Sequence, residues 1–361
     1  MSRSSFLSKF LPWIILLVLG AALLGGILSS SLAPSTPAQE RTPALAYLSM
    51  AGEGKSLWRV NLDGSGSQQL SQAGASVVNY APSLDGNWLA YAVARGETSS
   101  ELWVGDRDGS NPRLLVDCGM ERCEAPAWSP DGEKLAYSRL SARDAFARIW
   151  LVDVRSGETA PLMADAAIYG TLAAWSPVGE RISFYDPAWS PIRIFALTTG
   201  QLTPVFSRYP TAGTWSVDGK YLLYVGLDAA LLPQRVTAYQ LDLTSMQVTP
   251  LFMQGAQDVT YSVPLLSPDG QNYLVGGRFL GGSHAVHLWL LNAEGNQQQV
   301  VSSDFLTTRG AYSWDSTGER VVFQELMLGS SQAQPEIVLW ERSTGQAMVI
   351  IQKAAQPRWL P

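Results

Sequence analysis

Ala127-Trp128-Ser129-Pro130-Asp131-Gly132, then Leu135-Ala136-Tyr137, then Ile149-Trp150-Leu151-Val152-Asp153, is the stretch on which the fold turns. Its middle part returns as Leu45-Ala46-Tyr47, Leu89-Ala90-Tyr91, Ile182-Ser183-Phe184, Leu222-Leu223-Tyr224, Tyr273-Leu274-Val275 and Val321-Val322-Phe323. The spacing is about 40–50 residues, the period of a β-propeller or a similar array of short strands. Each part is a run of apolar, aromatic or β-branched residues bounded by turn chemistry, so each reads as a strand. The fold class expected is all-β, a propeller of seven blades.

The first part of the motif decides how the ring closes. Six copies open with Tyr80-Ala81-Pro82-Ser83, Ala127-Trp128-Ser129, Ala174-Trp175-Ser176, Thr214-Trp215-Ser216, Leu265-Leu266-Ser267 and Ser313-Trp314-Asp315. The copy at Leu45 has no opener, and Pro357-Arg358-Trp359-Leu360-Pro361 repeats the Pro126-Ala127-Trp128-Ser129-Pro130 pattern at the far end. A C-terminal strand is therefore expected to complete the N-terminal blade, which removes the exposed sheet edges that invite aggregation. The opener tryptophans are expected on the strands nearest the axis, packed between blades. Trp58, Trp103, Trp150 and Trp289 repeat in a second register on the third strands.

Ser-Pro-Asp-Gly at 129–132 and 267–270 fits a tight turn. Proline presets φ, aspartate bonds amides two residues on, and glycine takes positive φ without steric cost. With the Leu/Ile-Ala-Tyr/Phe strand that follows, these repeats resemble the TolB-like propeller family and, less closely, WD-repeat propellers. The resemblance covers the chain after residue 44 and implies the fold. Family members with six blades beside an α/β domain differ from the seven blades counted here, with no room expected for that domain, so their partners are not carried over.

Residues 10–28 form a run without a charged side chain, long enough at about 20 residues to span a bilayer. Arg3 and Lys9 precede it and no Lys or Arg follows until Arg41. The positive-inside rule then places residues 1–9 in the cytoplasm, 10–28 as a single-pass transmembrane signal-anchor in the plasma membrane, and the propeller at 44–361 on the extracytoplasmic side. Cleavage of this segment as a signal peptide is the competing expectation. Residues 29–43, rich in Ser, Pro, Thr and Ala, read as a flexible linker. The net charge of −6 argues against nucleic acid. Cys118 and Cys123 either form a disulfide or remain free thiols; they suggest no zinc site, lacking a second pair.

The short turns are expected to share one end of the ring, and the long, dissimilar loops at 138–148, 226–235, 276–284 and 324–335 the other. Irregular loops on a rigid scaffold are where binding concentrates. Candidate binding residues there are Trp189, which anchors a partner or caps its blade, and Arg139, Arg143 and Arg148, which hold an anion or remain solvated. Arg278, His284 and His287 share one repeat; a two-histidine metal site would need a bend, because i and i+3 point to opposite strand faces. The nearest approach to a Gly-x-Ser-x-Gly hydrolase elbow, Gly281-Gly282-Ser283-His284-Ala285, lacks the last glycine. No catalytic residue, metal or cofactor is assigned. The expected function is a non-catalytic scaffold for a protein or peptide partner on the long-loop face. The alternative is a carbohydrate-binding or polysaccharide-lyase-type enzyme using the axial funnel.

Overall fold

The structure is a computed structural model that describes residues 42–189, 191–207, 209–228, 235–251, 259–282, 284–292, 296–302 and 306–360. The expected cytoplasmic segment, transmembrane helix and most of the linker, at 1–41, lie outside the described residues. No helix among the described residues is long and apolar enough to cross a membrane.

Seven antiparallel sheets are formed, each from strands consecutive in sequence except one. That exception is blade 1, where Ala354–Leu360 pairs with Ala44–Gly52 in the register Ala44↔Leu360, Leu45↔Trp359, Ala46↔Arg358. The tail therefore supplies the innermost strand of the first blade, as the missing opener required. Blades 2 to 5 and 7 begin with innermost strands Val77–Pro82, Arg122–Trp128, Thr171–Trp175, Thr214–Trp215 and Thr307–Trp314. In blade 6 the inner position is divided between Val259–Tyr261 and Leu265–Leu266, both paired with Asn272–Phe279.

Burial follows strand position. All seven apolar triplets sit on the second strands, and every one of their side chains is buried. A second strand is flanked by two strands of its own sheet and covered by a blade on either face, so it is shielded from all sides. Leu45 and Tyr47 pack against Val322 and Leu339 of blade 7, joining the two ends of the ring in one apolar cluster.

A side chain on an inner strand bridges each joint between blades. The indole N–H of Trp128 donates to the Ala81 carbonyl at 2.9 Å, Trp175 to Ala127 at 3.1 Å, Trp215 to Ala174 at 3.2 Å and Trp359 to Ser313 at 3.2 Å. Three joints use hydroxyls instead: Tyr80 to Gln356, Thr214 to Pro264 and Tyr312 to Val263. Each bond satisfies a carbonyl on the inner strands or in the gap that divides them in blade 6, and leaving a buried one bare would cost about 1–3 kcal/mol. The expectation for Trp314 is met only in part. Its ring is buried, but its N–H has no hydrogen-bond acceptor among the described residues, because Tyr312 already spans that joint.

The repeated turn is equally specific. Ser129, Ser216 and Ser267 donate to Asp131, Asp218 and Asp269 at 2.5–2.7 Å, and each serine oxygen accepts the amide that begins the next strand. These bonds hold all three carboxyls below their ordinary value, with Asp218 down to about 2. The acidic residues of the motif are thus occupied in building turns.

Candidate functional site

Because strands alternate in direction, the start of each inner strand and the end of each second strand lie with the long loops, opposite the Ser-Pro-Asp-Gly turns. All the candidate residues fall at this end. They do not form one constellation.

Arg139 and Arg148 face each other in the register of blade 3, but each has its own carboxylate. Arg139 bonds Glu121 and lies 4.7 Å over the Trp150 ring. Arg148 reaches Asp144 at 3.2 Å and lies 5.7 Å from the Tyr169 ring centroid. Arg143 is exposed on the turn that begins at Ser141, so the three guanidinium groups do not converge. Cys118 and Cys123 are bonded, with Cα atoms 6.2 Å apart. The bridge closes the loop that carries Glu121, and leaves Met120 80% exposed at its tip.

Trp189 is 76% exposed, so the blade-capping reading does not describe it. The adjoining Asp186 is buried and holds Arg193 at 2.9 Å, which ties down the base of the loop that carries Trp189. The register of blade 4 sets Phe206 opposite Pro191, two residues from Trp189. Phe206 is itself 85% exposed, and Tyr209 follows it into the next blade at 41%. Exposed side chains at the opposite end include the smaller Leu84, Val178 and Val217.

The two histidines are separated. His287 is buried on the third strand of blade 6, stacked on Trp289 with ring centroids 6.0 Å apart. His284 is exposed in the preceding loop, with Nδ1 3.5 Å from Arg278 Nη1. Among the described residues no group of three or more His, Cys, Asp and Glu side chains is placed to hold a metal.

Arg278 and His284 do meet, at a cleft of about 480 Å³ between blades 5 and 6. One wall is Tyr209, Pro210 and Thr211; the other is Tyr261, Val263 and Val286. Tyr312 shapes its base by donating to the Val263 carbonyl at 2.8 Å, and burial pushes the phenols of Tyr261 and Tyr312 up, so both remain neutral at physiological pH. Gly277 is required there: a Cβ would lie 2.1 Å from the Trp289 ring, which crosses the strand at that point. Sequence reasoning singled out Arg278 and His284 but missed the cleft. The available signal was Gly276-Gly277 inside a strand, which marks a close approach.

Comparison with known proteins agrees with this architecture. The family described as the TolB beta propeller domain matches residues 42–251 and again 89–354. The Tol-Pal system protein TolB of Actinobacillus pleuropneumoniae serotype 5b is 42% identical over 69 residues, 19% of this chain and 16% of that protein. The solved TolB of Acinetobacter baumannii is similar over 88% of this chain and 83% of its own, at TM-score 0.52 and 17% identity. An oligogalacturonate lyase of Vibrio parahaemolyticus is similar over 86% and 85%, at TM-score 0.59 and 12% identity. At such identities the structural likenesses establish the fold alone. With a repeat-bearing ring matched along nearly its whole length, the chain belongs to the TolB β-propeller family.

Proposed function

We propose that this propeller is a non-catalytic scaffold that binds a protein or peptide partner through its long-loop end, held outside the cytoplasmic membrane by residues 10–28. The carrying observation is the set of large apolar side chains displayed there, Trp189, Phe206 and Met120, each more than three-quarters exposed. Exposed apolar side chains of this size, set in a polar rim, mark interaction surfaces, and buried aromatics dominate binding energy when a partner covers them. The name of these relatives, Tol-Pal system protein, supports a role among other proteins. The lyase-type reading gains no such support, since His287 is occupied with Trp289 and His284 stands beside a guanidinium.

The test is a photo-crosslinking amino acid placed in cells at Trp189 or Phe206, and at Leu84 or Val217 on the opposite end. Discrete adducts are expected from the first pair alone. Adducts from neither pair, or only from the second, would overturn the reading. Alkaline extraction tests the anchor: the chain should stay with the membrane, and its release would remove that part of the proposal.

A further inference from the structure

The cleft between blades 5 and 6 has a chemistry that narrows the partner, and the argument rests on the long-loop reading just given. Its walls are aromatic and aliphatic, and among the described residues the charged lining group is Arg278, with His284 beside it. Among the described residues no Asp or Glu lines it, in a chain whose net charge is −6. Arg278 has no carboxylate partner among the described residues, unlike Arg139, Arg148 and Arg193. Guanidinium is always charged and its planar fork matches a carboxylate. A volume of about 480 Å³ falls in the range of about 300–1,000 Å³ that small ligands and short peptide stretches occupy.

The cleft shares a residue with the exposed apolar set. Tyr209 belongs to both, and the Phe206 carbonyl comes within 3.5 Å of where a Cβ on Gly226 of blade 5 would lie. An occupant that used both features would extend beyond the cleft across blades 4 to 6, which suits a peptide better than a compact small molecule.

We infer that this cleft receives an extended acidic peptide, which sets a Glu or Asp carboxylate against Arg278 and His284 and a bulky apolar side chain between Tyr209 and Tyr261. The flank of the peptide then runs over Phe206 and Trp189. Arg278 supplies charge selection, and the apolar walls supply most of the contact area.

The experiment titrates the full chain against immobilised nonapeptides bearing Glu two residues from Trp, with matched copies carrying Gln or Lys in place of Glu. The Glu peptides should bind about tenfold more tightly than the Gln copies, as one partly exposed charge pair allows. Arg278→Glu should reverse the order, favouring Lys over Glu, with an unchanged melting temperature. Trp189→Ser should weaken all peptides while keeping the order. Equal binding of the three series, binding of none, or an order that survives Arg278→Glu would overturn the inference. Cross-links at Trp189 that persist in Arg278→Glu, together with any of those results, would leave the scaffold reading standing. Absence of cross-links from the whole long-loop end would remove both.

Discussion

Deleting residues 356–361 removes most of the strand that completes blade 1, and the cost follows from what that strand touches. Leu360 is fully buried, and Trp359 is half-buried with its indole bonded to Ser313 of blade 7. Truncating a buried leucine costs about 2–5 kcal/mol and a buried tryptophan about 3–5, so with Trp359 half-buried the pair loses about 5 kcal/mol. The deletion also removes the carbonyls of Gln356 and Leu360, which accept hydrogen bonds from Tyr80 and Arg107. A unit of about 320 residues unfolds with an entropy of roughly 0.7 kcal/mol/K, so the melting temperature should fall by about 7 °C. The bared edge of Ala44–Gly52 should in addition promote self-association. Circular dichroism melts and static light scattering on the deleted and intact chains measure both effects. A melting temperature within about 2 °C of the intact chain, with no added scattering, would refute the closure argument.

Three further outcomes follow from the same geometry. Trp128→Phe should cost about 1 kcal/mol more than Trp314→Phe in denaturant titration, because only the first leaves a carbonyl without its donor. The turn aspartates have lowered folded-state pKa values, so their contribution is complete above the unfolded value near 3.8 and lost as pH falls toward the folded value, about 2 for Asp218. Melting temperature should accordingly drop between about pH 4 and pH 2, and a Ser129→Ala, Ser216→Ala, Ser267→Ala triple variant should flatten that drop. Reducing the Cys118–Cys123 bridge should destabilise by about 2 kcal/mol, the loop-closure value for so short a loop, and a melt with and without dithiothreitol reads it directly.

Blade number, turn chemistry and the role of the tail were legible because the repeat writes them locally: a Leu-Ala-Tyr run needs only its own alternation to declare a buried strand. Interactions between blades were less so. Trp314 shares the register of Trp128, yet nothing local to it reveals that Tyr312 bridges the same joint. Trp340, the largest fully buried side chain, pairs with Val321 rather than with the third triplet residue as Trp58 does with Tyr47, and so escaped the third-strand register. Among the site candidates, the sequence brought Arg139 and Arg148 together but not their carboxylates, and Glu121 lies 18 positions before its arginine. Arg278 and His284 were visible as residues; the wall opposite them, Tyr209 to Thr211, comes from a different blade, which no periodicity in one repeat announces.

The pairing of Ala44 with Leu360 has a consequence for biosynthesis. The first strand of the ring waits for a partner that emerges roughly 300 residues later, or about 15–60 s at ~5–20 residues per second. Through that interval the nascent ring is an open arc with one bare hydrogen-bonding edge. Ribosome-bound intermediates halted before the last strand are therefore the species that a holdase chaperone would have most reason to shield.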